Sequence, residues 1–254
     1  MRHVYLCFLF IYLCSCQKKD DVQLIELFAG ETKLLLEVKT KDENSSLVFI
    51  NLHDDEVTST EAFNSFYEDC NCRFYHLMNN RRRNIVFSVN HHDGEFDPNG
   101  IFSSTGIERQ LKKHHYFNPK SEAAVKKFSE DFLATLDLNS HDFVVSLHNN
   151  SDGNFSVQSY VADTSRSEGA LEFNLSPNRD EDDFFIVTKR EFFESFRKQD
   201  FNVVLLNPTS PEDDGSLSDY CNKHGIDYIN VEAEDGHLEE QKKMIETALL
   251  LFGE

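Results

Sequence analysis

The chain has 254 residues and carries 45 acidic against 25 basic side chains, a formal charge of −20. That balance argues against nucleic acid or an anionic lipid surface as a partner, since both reward a basic face. The length suits one sizeable core or two small ones, and no Pro/Gly-rich linker or internal repeat divides it, so a single domain is expected over residues 22–254.

Residues 1–15 read as a signal peptide. Arg2 and His3 make a short polar start, and the apolar run at 4–13 is too short to span a bilayer but suits a signal-peptide core. Leu13-Cys14-Ser15-Cys16 resembles the lipobox of bacterial lipoproteins, which implies cleavage before Cys16, lipidation there and attachment to the membrane. Cys14 departs from the small residue usual at its position, and an ordinary secretory signal cut nearby is the other reading. Residues 16–21 would form a lipidated tether. Gln17-Lys18-Lys19-Asp20-Asp21 also resembles the tag that sends some outer-membrane lipoproteins of Gram-negative cells to the cell surface, although a solvated leader would look the same. Loss of the leader removes only Arg2 among the acidic and basic residues counted, leaving a charge near −21. The expected location is the cell envelope.

Segments 22–28 and 33–38 flank Ala29-Gly30-Glu31-Thr32 and predict a hairpin. The nearly continuous apolar run 47–52 predicts a strand buried on both faces, and 85–89, 143–147, 203–206 and 228–231 have the same character. Between them, 58–70 predicts a helix capped by Thr58 or Ser59, with Glu61 supporting its first turn. Ala124, Val125, Phe128, Phe132 and Leu136 make a helical stripe over 121–136, and further helices are expected at 189–198, 216–224 and 238–252. This alternation predicts a three-layer α/β/α domain with a mostly parallel or mixed central sheet. Its ligands are expected at the carboxyl ends of the strands.

Two histidines fall at such ends. His53 follows 47–52 and His148 follows 143–147. At i, i+3 in a turn, His53 and Glu56 can face one point, and His148 completes three ligands of the kinds zinc takes. A fourth position is then left for a water whose pKa zinc brings toward about 7. A carboxylate is needed to take and return its proton. Glu232, at the end of 228–231, is the candidate, and Glu234 is its rival because a continuing strand would point both the same way. A lone His-x-x-Glu also arises by chance, and a histidine at a strand end is commonly just a hydrogen-bonded loop residue.

His53-x-x-Glu56, then His148 after 91 intervening residues, then a late glutamate on a strand resembles the zinc carboxypeptidase superfamily, including its succinylglutamate desuccinylase/aspartoacylase branch. Asp97-Pro98-Asn99-Gly100-Ile101-Phe102 is similar to the family's Asp-x-Asn-Arg-x-Phe element, and the order of motifs matches over roughly residues 47–252. The resemblance implies one zinc ion held by His53, Glu56 and His148, with Glu232 as general base and acid and Asn99 holding substrate. Gly100 stands where the family has an arginine for a substrate carboxylate, and Arg81, Arg82, Arg83 and Arg109 are near it in sequence.

The rest of the chain offers weaker features. Tyr160 ends the strand-like segment 155–160 and could touch substrate, though a packing role is commoner. His91-His92-Asp93-Gly94 reads as a loop that could line the cleft, His114-His115 as a solvated face, and the acidic run 180–183 as solvated rather than calcium-binding. Cys70, Cys72 and Cys221 are an odd set. Cys70 and Cys72 stand too close for an ordinary bridge, all three read as structural, and a pairing through Cys221 stays open. The expected function is zinc-dependent hydrolysis of an amide bond in a peptide or small amide at the cell envelope. A non-catalytic metal- or ligand-binding lipoprotein, or an unrelated α/β surface protein, is the alternative.

Overall fold

The structure, a computed structural model, describes residues 21–42, 45–161 and 165–252. The leader, the tether and the expected lipidation at Cys16 lie outside the described residues. In chain order the strands and helices are β1 (Asp21–Ala29), β2 (Thr32–Thr40), β3 (Leu47–Asn51), α1 (Val57–Asn64), β4 (Arg73–Met78), β5 (Ile85–Val89) and β6 (His92–Phe96). There follow α2 (Ser104–Lys113), α3 (Pro119–Leu136), β7 (Phe143–Asn150), β8 (Ala170–Asn174), β9 (Phe184–Val187), α4 (Arg190–Lys198), β10 (Asn202–Leu206), α5 (Leu217–His224), β11 (Tyr228–Glu234) and α6 (Leu238–Phe252).

Among the described residues, nine strands form one mixed sheet in the order β1-β2-β4-β3-β7-β11-β9-β10-β8. β3 runs parallel to β4 on one side and to β7 on the other, and β7 runs parallel to β11. The chain order therefore reverses between β3 and β7, which opens a crevice at their carboxyl ends. The period of two then sorts the core. Val48, Ile50, Val144 and Tyr228 face the layer of α2, α3 and α5, while Phe49, Val145, Leu147, Ile229 and Val231 face α1, α4 and α6. Each helix supplies its own stripe, such as Phe128, Phe132 and Leu136 from α3 or Phe192, Phe193 and Phe196 from α4. The expected three layers are present.

Several local expectations change. The helix expected over 58–70 runs only from Val57 to Asn64, and neither Thr58 nor Ser59 caps it. The Ser59 hydroxyl bonds the Glu56 carbonyl at 2.7 Å, and the Ser59 amide is instead received by the Asn149 side chain at 2.9 Å. Ser65 closes the helix by bonding back to the Ala62 carbonyl at 2.6 Å, in competition with the helical ladder. Segment 85–89 does not join the central sheet. Its ladder is with β6, in a two-stranded ribbon that buries Ile85 and Phe87 and leaves Val86 outward, and a single bridge from Ser88 to Gly30 joins it to the β1–β2 turn. The 91–94 segment turns and begins β6 at the ribbon's tip, away from the cleft. Residues 157–160 form a 3-10 turn capped by Ser156, not a strand. Cys70 and Cys72 are bridged, contrary to expectation. With one residue between them their Cα atoms are 5.3 Å apart, inside the about 4.4–6.8 Å that disulfides span. Cys221 is free and buried.

Candidate metal centre and its cleft

The end of β3 starts the site. After Asn51 the chain makes a turn in which the Glu56 amide donates to the His53 carbonyl at 3.1 Å. This turn places His53 Nδ1 2.8 Å from Glu56 Oε1. On the neighbouring β7, His148 Nδ1 lies 3.1 Å from Glu56 Oε2 and 3.2 Å from His53 Nδ1. All three side chains are buried, and one potential ligand atom from each lies within 4.8 Å of the others. Two imidazole nitrogens and a carboxylate aimed at one point are a possible metal-binding group, and this nitrogen and oxygen donor set fits zinc.

The surroundings hold that arrangement in place. His53 Nε2 is 2.7 Å from Asp97 Oδ1, and with its Nε2 proton given to that carboxylate the Nδ1 lone pair is left for the Glu56 side. Asp97 is itself fixed, since its side chain caps the short turn Pro98–Gly100 by accepting from the Asn99 amide at 2.9 Å. Arg83, in the loop between β4 and β5, reaches Glu56 Oε1 at 2.7 Å and Asp97 Oδ2 at 3.4 Å. On the other face of the sheet, Asn149 bonds Gln241 at 2.9 Å, and Gln241 donates to the His148 carbonyl at 2.9 Å. These bonds tie β7 to α6, and the Ser59 amide on the Asn149 side-chain oxygen ties it to the start of α1.

Charge settles accordingly. Burial pulls the His53 pKa down, but the Glu56 charge and the Asp97 hydrogen bond outweigh it and hold it up at about 9. Burial pushes Glu56 up, and the two histidines outweigh that, keeping it well below the usual carboxylate range. Asp97 is lowered in the same way by His53 and Arg83 against its own burial. Without metal the cluster is a buried ion network centred on a protonated His53. A divalent cation would take the place of that proton.

Glu232 pairs with His148 in the parallel register of β11 and β7, so both point to the same face. It does not join the triad of ligand atoms. Asn230 donates to Glu232 Oε1 at 2.9 Å, and Asn230 is in turn held by Ser146 at 2.8 Å. Burial raises the Glu232 pKa, with Glu56 adding to the effect and His148 opposing it. The strand does continue to Glu234, but Glu234 stands two residues farther on, where its carboxylate lies 3.4 Å from His237 Nε2. It does not line the cleft.

The cleft above these residues has a volume of about 770 Å³ and is lined by Glu56, Asp97, His148 and Glu232, together with Asn99 and Tyr160. Asn99 is already engaged through its side-chain oxygen, which accepts from the Leu217 amide at 2.9 Å. Tyr160 packs edge-on against Phe184 and is bonded to Arg166, and burial raises its hydroxyl pKa beyond the normal range. Gly100 is covered, because a Cβ there would lie 2.2 Å from the Gln110 side-chain nitrogen. The cleft's cations are therefore Arg83, Arg109, Lys113 and Arg166. Arg83 and Arg109 lay among the arginines near Gly100 in sequence, but nothing there marks which one faces the site. Arg166 sits in a 3-10 turn with no signal of its own. The bond from Asp97 to His53 likewise has no signal in the spacing of the motif around Asp97.

No protein-family model matches the sequence, and no curated protein matches it. Solved structures similar to this chain include an aspartoacylase family protein from Mesorhizobium loti, with 13% identity, 92% of this chain and 67% of that one covered, and a TM-score of 0.44. A succinylglutamate desuccinylase/aspartoacylase from Rhodobacter sphaeroides aligns with 11% identity over 91% of this chain and 65% of that one, at a TM-score of 0.45. The product-bound ectoine utilization protein EutE of Ruegeria pomeroyi aligns with 13% identity over 93% of this chain and 70% of that one, at a TM-score of 0.46.

Proposed function

We propose that the protein is a zinc-dependent hydrolase that cleaves an amide bond in a peptide or small amide, carboxypeptidase- or deacylase-like, and held at the bacterial cell envelope by a lipid on Cys16. One observation carries this reading. The Nδ1 atoms of His53 and His148 and the Glu56 carboxylate converge at the base of an open cleft, with a second buried carboxylate, Glu232, beside them. A zinc ion held by His53, Glu56 and His148 supplies a Lewis acid that polarises a carbonyl and lowers the pKa of water toward about 7.

The remaining work falls to the chain's own groups. Glu232 is held by Asn230 and its pKa is raised by burial, which suits a carboxylate that takes a proton from water and returns it to the departing nitrogen. Asp97 keeps His53 in the ligating tautomer. Arg83 has a half-exposed side chain at the cleft and donors beyond those used on Glu56 and Asp97, so it is placed to meet negative charge developing on the carbonyl oxygen. A carboxylate on the substrate would be met by Arg109 or Arg166, since Gln110 fills the space beside Gly100. That same filled space favours the second reading, a binding lipoprotein that keeps fold and metal without turnover.

Metal analysis of protein purified without added zinc should find about one zinc per chain, lost in the double variant His53→Ala/His148→Ala. Absence of metal from the wild type, even after zinc is supplied, would end the reading. Glu232→Gln should keep the metal and lose about 10²- to 10⁴-fold in amide hydrolysis. A metal-loaded wild type that cleaves no N-acyl amino acid or peptide would select the binding protein instead.

A further inference from the structure

A second group of oxygens lies at the carboxyl edge of the sheet. Asp152 follows β7, Asp182 precedes β9 and Glu234 ends β11, and one carboxylate oxygen of each lies within 4.8 Å of the others. Exposed acidic groups often gather with nothing bound, but burial sets this cluster apart. Asp182 is only 2% exposed. Its Oδ2 accepts from the Gly153 amide at 2.9 Å, while its Oδ1 is buried with no hydrogen-bond partner. Asn150 repeats the pattern. Its side-chain nitrogen donates to the Asp182 carbonyl at 2.7 Å, and its side-chain oxygen is buried without a donor. Asn150 is also the register partner of Glu234. Among the described residues, no lysine or arginine forms an ion pair with Asp152 or Asp182. The neighbouring Asp183 differs, for it is served by His237 at 3.0 Å and by the Glu234 amide at 2.9 Å.

We propose that Asp152, Asp182 and Glu234, with the Asn150 side-chain oxygen beside them, form a calcium site distinct from the His53–Glu56–His148 centre. The donors are all hard oxygens. One oxygen from each carboxylate lies within 4.8 Å of the others, close enough for a single ion with bonds of about 2.3–2.6 Å to reach all three. Asn150 and Glu234 stand two residues beyond His148 and Glu232 along their strands, which separates the two sites by about 6–7 Å. Burial raises the Asp182 carboxyl pKa, and the charges of Asp180, Glu181 and Asp152 raise it further, so a cation there relieves both costs. The site would fasten the segment after β7 to the loop before β9, where the Val157 amide already donates to the Glu181 carbonyl at 3.0 Å. Asn154, Phe155 and Tyr160 of that segment line the cleft, so calcium would brace the wall of the first site.

The test is calorimetry and thermal melting of the chelator-stripped chain with calcium chloride. The wild type should bind one calcium and melt about 5–10 °C higher at a hundredfold excess over Kd. His53→Ala/His148→Ala should retain that response, and Asp182→Asn should lose it. If Asp182→Asn does not fold, Asp152→Asn on the exposed side should weaken calcium by about tenfold or more, since affinity follows the number of charged ligands. No binding by the wild type up to millimolar calcium overturns the proposal. A calcium affinity unchanged in Asp152→Asn, or a response that disappears in the histidine double variant, overturns it as well.

Discussion

His53 is gripped at both ring nitrogens, by Asp97 on one side and by Glu56 and His148 on the other, and Arg83 bridges the two carboxylates behind it. The residue's usefulness as a ligand thus depends on a group that touches no metal. In Asp97→Asn an amide can still approach Nε2, but it no longer carries the charge that polarises the ring or holds Arg83. Metal affinity should fall by about 10- to 100-fold with the fold intact, as replacement of such supporting partners generally does. Competition with a chromogenic chelator measures this directly. Unchanged affinity would mean that Glu56 and His148 alone orient the site.

At the scale of elements, the strands that place the ligands were legible because they are buried on both faces and so read as apolar runs. β3, β7, β10 and β11 are of this kind. β4 was not legible, because Arg73, His76 and Met78 interrupt it and its partner β2 supplies what the pattern lacks. β8 and β9 were hidden by shortness, and α2 by a polar face that dominates its ten residues. The meeting of His53 with Glu56 could be read because the turn from β3 into α1 is local, whereas Arg83 and Arg166 arrive from loops whose paths only the assembled sheet decides. The contact of α2 with the loop before α5 was also invisible. Gly215 there has a φ of +72°, and a Cβ would lie 2.6 Å from the Gly106 Cα and 2.7 Å from the Gly100 carbonyl oxygen. Gly225 has nearly the same φ, +68°, with nothing within 4 Å. Alanine at either position bears the left-handed strain, but only Gly215→Ala also forces backbone apart. It should be less stable than Gly225→Ala by roughly 1–3 kcal/mol in urea melts, the usual cost of overpacking. Equal losses would show that the α2 contact yields freely.

For the whole molecule, the buried network couples metal, protons and stability. The formal charge of −20 already opposes compaction at neutral pH, and the metal-free centre counters it locally with a protonated His53 between two anions. The His53 pKa is about 9 in the folded protein against the 6.5 of an ordinary histidine, so the folded state binds its proton more tightly. The resulting stabilisation is fully present below pH 6.5 and is lost as pH rises through about 9. From that difference its size is on the order of 3 kcal/mol. Metal reverses the dependence, because a ligating imidazole must be neutral and the proton on His53 is its competitor. Zinc affinity should therefore rise by up to about tenfold per pH unit until pH approaches 9. Urea melts from pH 6 to 10 should show the chelated protein losing stability across this interval and the zinc-loaded protein holding it. A flat profile for the chelated protein would mean that His53 is neutral without metal and that the anions around it are balanced by Arg83 alone.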